Sequence, residues 1–533
     1  MSLLDALLLD PAPLEIWIAY RTDGLKGSGT ASDPYDGSTA AKFDARMNET
    51  PANMRVHLGP GIFETKGYAD GETTGWQPKP GMNITGAGID VTTLKLAGAS
   101  QNKPYFTIGH ALTTGSPAVP NLLDYFEISD LTIDCNLGGQ TPTQLSCAAV
   151  RIMGNHCRIR RVKATEWGTK YGACFIISVI TANPPTVTGV DDAGIEDCIV
   201  VNPSSASASG TAVTMIHAGG LETATTAEAF GKAPYIRHCF LDGGKTTPGT
   251  GTVLRGLSMS WCKGGIIEGN QIHNMEVGGP YQEKTSTREI IIRNNHYRNV
   301  LKGPFFYLRT YPASLGTATL DKNGALVTAT TSADHKLFTG DRVYITASNS
   351  AFSKWVQITV TTPTQFTYQS SVSGTPGSAT AIQKLFGIDY LLVEGNVIAL
   401  APVTSGEVIA IQLEDLQPTN LMDPDYPAFQ HGQTVIRNNK VRYVDGAFQT
   451  SPAYAGFGLR IYGPRNLIVQ DNVLECVPSD PLQNERCGTA TYFNNRTPGG
   501  VLIRGLDSIT GQKYDELETE AEDALVMAMF NER

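Results

Sequence analysis

Nine segments of the chain repeat one order of apolar and polar positions. An aliphatic residue is followed by two mostly polar residues, a fourth position holding Asn, Cys or an apolar residue, one variable residue and usually another apolar one. The segments begin at Ile128, Ile159, Ile195, Ile236, Ile267, Ile292, Val393, Ile436 and Val469, and most spacings are 25 to 43 residues. Apolar and polar residues alternate within each segment, which is the period of a strand and not of a helix. One strand signature per period of this size predicts stacked coils, since a single coil cannot bury its apolar face alone.

The fourth position reads Leu131, Val162, Cys198, Cys239, Asn270, Asn295, Asn396, Asn439 and Asn472. In coils stacked in register, equivalent side chains lie above one another. A buried Asn can then donate to one neighbour, accept from the other and satisfy turn backbone as well. Cys fits the same slot as a small hydrophobe. These features predict an all-β chain folded as a parallel β-helix.

The spacing from Ile292 to Val393 is 101 residues, far more than one coil needs. Residues 314–383 lack the repeat and read as several short antiparallel strands, hence an inserted small β domain. Before the repeats, Ser38 is placed to N-cap a helix through Met47, with Ala40, Phe43 and Met47 on one face. Such a helix would cover the open edge of the first coil. After about residue 505, KYDELETEAEDALVMAMF reads as a helix with an apolar stripe. The expected organisation is an N-terminal segment and capping helix over 1–54, β-helix over 55–313, the inserted domain over 314–383, β-helix over 384–505 and a C-terminal helix over 506–533.

The chain has 533 residues and a net charge of −10, against the basic face a nucleic-acid binder needs. Its nine Cys are an odd number for a disulfide framework, and several lie in strand segments, so buried free thiols and a reducing cytoplasm at the time of folding are expected. No CxxC pair or His/Cys cluster points to a metal, and no motif points to a cofactor. The N-terminus lacks a basic region before its short apolar run, and no stretch has transmembrane length. The expectation is a protein made in the cytoplasm without a signal peptide, with no membrane insertion, that acts outside a cell on a phage-like particle or after lysis.

The order GSGTASDPYDGST, helix, RVHLGPGIFET, ITGAGIDVTTLKL and then repeated I-x-x-N segments resembles the pectate-lyase-like superfamily of right-handed parallel β-helices. That superfamily includes polysaccharide lyases, polygalacturonases and phage tailspikes. The resemblance implies the fold over residues 20 to 505 and, by analogy with tailspikes, a homotrimer assembled with other particle proteins. It specifies chemistry poorly. Of the Asn-Thr-Asp, Asp-Asp, Gly-His-Gly and Arg-Ile-Lys motifs of polygalacturonases, only Asp191-Asp192 has a match in composition, and that pair also reads as an ordinary turn.

A second strand set precedes several repeats: AAVRIMG, GPFFYLRTYP, GEVIAIQLEDL and GFGLRIYGP. Alternation turns Tyr307, Arg309, Gln412, Glu414, Arg460 and Tyr462 outward. Arg309, Glu414 and Arg460 would then form one exposed row flanked by Tyr307 and Tyr462, suited to a surface polysaccharide. The same row also reads as a solvated ion-pair ladder. Glu414 is the candidate general acid, with Asp415, Asp423 or Asp425 as partner carboxylate; two flanking Arg would favour a base or a binding role. Three readings follow. The first is a tailspike- or fibre-like particle protein that recognises cell-surface polysaccharide, with or without cleavage. The second is a free polysaccharide lyase or glycoside hydrolase, and the third a structural particle subunit.

Overall fold

In a computed structural model the described residues run from 14 to 514, less 70–74, 99–104, 112, 115–118, 141–146, 169–172, 179–189, 204–212, 220–230, 250–252, 285–286, 311–315, 336, 338, 385–387, 403–405, 415–430, 445–453, 463, 476–481, 486–488, 497–504 and 508–512. The chain forms two compact units, one made of residues up to Gly219 with 231–258 and 268–276, the other of 259–267 and the chain from Val277 onward. Both are stacks of coils whose strands pair in parallel, the parallel β-helix expected from the repeats.

In the first unit the leading aliphatic position stays in register from coil to coil. Ile16 pairs with Val56, Val56 with Ile84, Ile84 with Ile128, Ile128 with Ile159, Ile159 with Ile195 and Ile195 with Ile236. The stack thus begins at strand Glu15–Ala19, ahead of the expected start at residue 55. In the second unit the same row runs Ile292, Val393, Ile436, Val469 and Tyr492. The apolar residue five positions further on is equally buried: Ile133, Ala164, Val200, Leu241, Ile272, Tyr297, Ile398, Val441 and Leu474 are all 0% exposed. Burying each large aliphatic side chain stabilises by about 1.5–3 kcal/mol, so the two rows form the core.

Between these rows the chain turns, and the turn explains the fourth position. The residue before it has a left-handed backbone in one coil after another: φ is 60° at Asp130, 49° at Arg161, 54° at Asp197, 51° at His238, 66° at Gly269, 56° at Asn294, 65° at Gly395, 56° at Asn438 and 54° at Asp471. Asn, Asp and Gly tolerate that conformation best, which accounts for their frequency there. The turn faces the core and leaves polar backbone groups to be satisfied. Asn439 shows how. Its Nδ2 donates to Asn472 Oδ1 at 3.0 Å and to Val393 O at 2.9 Å. Its Oδ1 accepts from both the backbone N and the Nδ2 of Asn396, each at 3.0 Å. Asn295, Asn396, Asn439 and Asn472 are linked this way, and Asn495 continues the ladder. In the first unit Asn270 Oδ1 accepts from Cys239 N at 2.9 Å, and the thiols of Cys239 and Cys198 point at Ile195 O and Ile159 O of the preceding coil. Seven cysteines are described, all buried and free; burial pushes the Cys157 and Cys262 thiols up to about 12, so they are inert.

The first coil carries a helix over Ala40–Glu49, with Phe43 and Met47 fully buried. Its N-cap is Thr39, not Ser38: the Thr39 hydroxyl accepts from Lys42 N at 3.3 Å. The apolar N-terminal run lies outside the described residues. At the other end, Lys513–Tyr514, the expected helix start, is a short strand antiparallel to Gly505–Asp507, and the rest of that helix lies outside the described residues.

The long spacing holds a separate antiparallel sheet. Its spatial order is Lys354–Gln357, Arg342–Ala347, Ser378–Lys384, Ala318–Asn323, Leu326–Thr331, Gln365–Gln369 and Thr359–Thr362. The two edge strands are separated in sequence by Ile358 alone, so the sheet must curl back on itself into a barrel-like shape. It has its own core, with Val327, Ala329, Val343, Ile345, Phe352, Phe366 and Ile382 at 0% exposure. Ile382 N donates to Gly316 O at 3.2 Å, so the module leaves the β-helix close to where it began.

Two outcomes are expected. Asn439→Leu leaves the backbone N and Nδ2 of Asn396 and the carbonyl of Val393 without their partner, lowering stability by about 1–3 kcal/mol in denaturant titration. Asn439→Cys should cost less, as Cys fills this slot elsewhere; an unchanged midpoint in both variants would contradict a buried ladder. Replacing residues 317–381 by a short Gly-Ser link should leave one cooperative unfolding transition, and loss of that transition would show that the module supports the coils.

Candidate functional site

The strand set proposed for ligand contact is present, but its register differs from the expected row. Phe305 pairs with Gln412 and Tyr307 with Glu414; Gln412 pairs in turn with Arg460, and Arg460 with Gln483. Arg309, Glu414 and Arg460 therefore do not share a row. Alternation has a period of two, so it assigns a face but cannot distinguish registers that differ by two residues. Glu414 is flanked in register by Tyr307, and one position beyond the Leu413–Ile461 pair by Tyr462, instead of by two arginines. Tyr462 pairs with Glu485, which sequence reasoning missed. Arg309 lies two residues beyond the position that meets Glu414, the end of strand Gly406–Glu414. Asp415, Asp423 and Asp425 lie outside the described residues.

Four strand positions make one row in the second unit, Tyr281, Phe305, Gln412 and Arg460, and the backbone register continues it to Gln483 and Leu506. At about 4.8 Å per step the row spans about 24 Å. Tyr281 and Phe305 stack with ring centroids 5.4 Å apart and planes 3° apart. Lys302 Nζ sits 4.3 Å from the Phe305 centroid. Gln412, expected to be exposed, is only 2% so, and its Oε1 accepts no hydrogen bond among the described residues.

A bend shapes this surface. Strand Gly406–Glu414 pairs with His296–Lys302 through Ile409 and with Phe305–Thr310 through Gln412. It therefore rounds the corner between two faces of a coil. Arg460 Nη1 donates to Glu407 Oε1 at 2.8 Å, although in register Arg460 sits five residues beyond Glu407. On a straight strand these positions would be about 16 Å apart on opposite faces. Their meeting makes the corner concave toward the outside. Lys302 Nζ also approaches Glu407, at 3.7 Å. The Glu407 carboxylate thus lies between two cations. Nothing in the hydrophobic pattern of GEVIAIQLEDL signals the bend that brings it there.

Two polar groups in the first unit are structural. Asp191 and Asp192 form a turn, with φ of 50° at Asp192. Asp192 Oδ2 binds His156 Nδ1 at 3.0 Å and Arg158 Nη2 at 2.5 Å, while Asp191 binds Lys232. Burial raises the Asp192 pKa, but the hydrogen bonds from His156 and Arg158 outweigh it, and the group is held below the usual carboxylate range. His217 lies between hydroxyls, Nδ1 at 3.0 Å from Ser258 Oγ and Nε2 at 3.2 Å from Ser178 Oγ. Ser178 is 1% exposed, too buried to attack a polymer. No group of three His, Cys, Asp or Glu that could hold a metal stands among the described residues.

Coils and row together define a parallel β-helix with a concave, aromatic and polar strip on one strand set. No family model matches the sequence, and no curated protein matches it. Solved structures similar to the chain include PfbA, a surface adhesin of Streptococcus pneumoniae (13% identity, 87% of this chain and 88% of that one, TM-score 0.46). A polygalacturonase from Erwinia carotovora ssp. carotovora is similar at 9% identity over 93% of this chain and 97% of that one, with a TM-score of 0.37. The tailspike of E. coli bacteriophage HK620, solved in complex with pentasaccharide, is similar at 10% identity over 83% of this chain and 58% of that one, with a TM-score of 0.43.

The Glu407–Arg460 pair is part-exposed, at 41% and 22%, so Glu407→Gln should change stability by no more than about 1 kcal/mol. A larger loss in the denaturant midpoint would mean that the corner is held by this pair and not by the strand pairing beneath it.

Proposed function

We propose that this protein binds an extended surface polysaccharide along the row from Tyr281 to Arg460, as a tailspike- or fibre-like component of a phage-like particle. One observation carries the reading: a stacked aromatic pair and a part-exposed guanidinium–carboxylate pair lie on one row of strands along a concave corner. A polymer of sugars presents apolar ring faces and hydroxyls in repeating order, and such a row offers both a stacking face and charge-assisted hydrogen bonds. Its position on rigid strands fixes the spacing of these groups in advance of binding. The particle setting, made in the cytoplasm and acting outside the cell, and the trimer rest on the resemblance described for the sequence.

A second reading has one observation of its own. Glu414 and Glu485 occupy one row with Tyr462 between them, two strand steps or about 9.6 Å apart at the backbone. Inverting glycosidases hold their two carboxyls about 6.5–9.5 Å apart. Cleavage by this pair would make the protein a glycoside hydrolase, with Glu485 as the partner in place of Asp415, Asp423 or Asp425.

Glycan-array binding and reducing-end release separate the readings. Arg460→Ala should weaken binding about tenfold or more, as loss of a charge-assisted contact does. Retained binding with release abolished in both Glu414→Gln and Glu485→Gln would establish catalysis. Absence of binding by the parent to any glycan, including the natural host surface, would leave only a structural subunit.

A further inference from the structure

The tip of one hairpin in the inserted module holds the only Asn-Gly pair in the 533-residue sequence, Asn323–Gly324. Strands Ala318–Asn323 and Leu326–Thr331 are joined by Gly324 and Ala325 alone, and Asn323 pairs with Leu326. A two-residue hairpin loop needs a left-handed backbone at its first residue, and Gly324 has φ of 65°. The glycine serves the turn, but it also exposes the residue before it to chemistry.

Asn is a thermolabile residue, and a glycine amide is the least hindered nucleophile a chain can offer its carboxamide. All four tip residues, Asn323 to Leu326, are exposed, and a β-carbon built on Gly324 would meet no atom within 4 Å. Neither the Asn323 side-chain amide nor the Gly324 N–H is hydrogen-bonded among the described residues. Asn323–Leu326 is the outermost pair of the two strands, so the fraying of that pair frees the tip. Asn349 of the same module is the contrast. It is also exposed and precedes a small residue, Ser350. Its Oδ1 accepts from Ala351 N at 3.2 Å and its Nδ2 donates to Thr375 O at 3.0 Å, so its amide is held at both ends.

We infer that Asn323–Gly324 is a self-modifying site, at which the chain turns asparagine into aspartate and isoaspartate with water as the only co-reactant. The Gly324 nitrogen attacks Asn323 Cγ. An N–Cγ bond forms, the Cγ–Nδ2 bond breaks, and ammonia leaves with the proton of the Gly324 N–H. Water then opens the cyclic imide. Breaking the new N–Cγ bond gives aspartate; breaking the bond from that nitrogen to the backbone carbonyl carbon gives isoaspartate, whose chain runs through the former side chain. The net change is one water taken up and one ammonia lost, with nothing oxidised or reduced. Both products place a carboxylate next to Lys322 and two residues from Asp321. Isoaspartate also lengthens the backbone by one carbon beside the Lys322–Val327 pair, and Val327 belongs to the module core. Neither a glycan nor the β-helix row takes part.

The test is peptide mass mapping of the full chain after incubation in heavy-oxygen water at neutral and mildly alkaline pH, with an isoaspartate assay and thermal unfolding on the same samples. The Asn323 peptide should take up one heavy oxygen per converted chain, faster at the higher pH because the attacking nitrogen must lose its proton. The Asn349 peptide should keep its amide. The aged parent should show a lowered unfolding midpoint. Aged Asn323→Gln, whose longer side chain cannot close the five-membered ring, should show an unchanged one. The same chain unfolded in urea is the reference. Conversion of Asn323 in urea but not in the folded chain overturns the proposal, since the hairpin then protects its own tip. Equal conversion of Asn323 and Asn349 in the folded chain overturns it as well, since an unbonded amide at the tip then confers nothing.

Discussion

The structure depends on satisfying the polar groups of a turn that points into the core. Each coil changes direction at a residue with left-handed backbone, and the next side chain projects inward where no water reaches. A buried amide or carbonyl left unpaired costs about 1–3 kcal/mol, and the cost recurs at every coil. The Asn side chain resolves it because it carries a donor pair and an acceptor on one short stem. Asn396, Asn439 and Asn472 each hand a hydrogen bond to the next coil and take one from the last. The same ladder fixes register: a coil that slipped by one residue would lose these bonds and turn its aliphatic row outward. Cys198 and Cys239 do part of the work, their thiols reaching the preceding carbonyls, but a thiol is a weaker hydrogen-bonding group.

Once register is fixed in the core, the outer surface is fixed too. Outward residues on successive coils lie about 4.8 Å apart, so surface chemistry appears as rows and not as isolated residues. Gln412 is placed between Phe305 and Arg460 by the same pairing that stacks Leu413 on Ile461. The corner at Ile409 adds a second dimension. It bends a nine-residue strand so that Glu407 and Arg460 converge, which no flat sheet would allow. Core packing thereby determines which surface groups can act together.

The fold was legible because its cause is periodic. Buried aliphatics at fixed offsets from a polar slot leave a signature in the letters, and that signature located the ladder from Asn295 to Asn472 and the buried slot of Asn270. The coil of Asn495 escaped because Tyr492 occupies its aliphatic position, whereas the coils of Val56 and Ile84, which lack the repeat, were placed in the β-helix by the resemblance. The inserted module was legible as an interruption of the period. The site was less so. Alternation assigned Leu459 and Ile461 to the core and Arg460 to the outside, as found. It did not reveal that Arg460 aligns with Gln412, that Glu407 is the acid Arg460 meets, or that Gln412 is covered. Those facts depend on register between strands 48 residues apart and on a bend, and neither changes the order of apolar and polar letters.

Rows also impose an electrostatic rule. Like charges at the same position of adjacent coils would face each other at about 4.8 Å along the stack, and stacking offers no freedom to move apart. An effective dielectric constant of about 20 makes such a contact cost on the order of 3 kcal/mol, enough to disfavour it at every step. The outer strands meet the constraint by placing acids against arginines, as Arg437 against Glu394 and Arg160 against Glu196 illustrate. Arg298 and Arg442 meet it differently, by separation, with Ala399 as the spacer. Val441 pairs with Leu474, which sets Glu475 against Arg442 in the next coil, so the row reads cation, spacer, cation, acid.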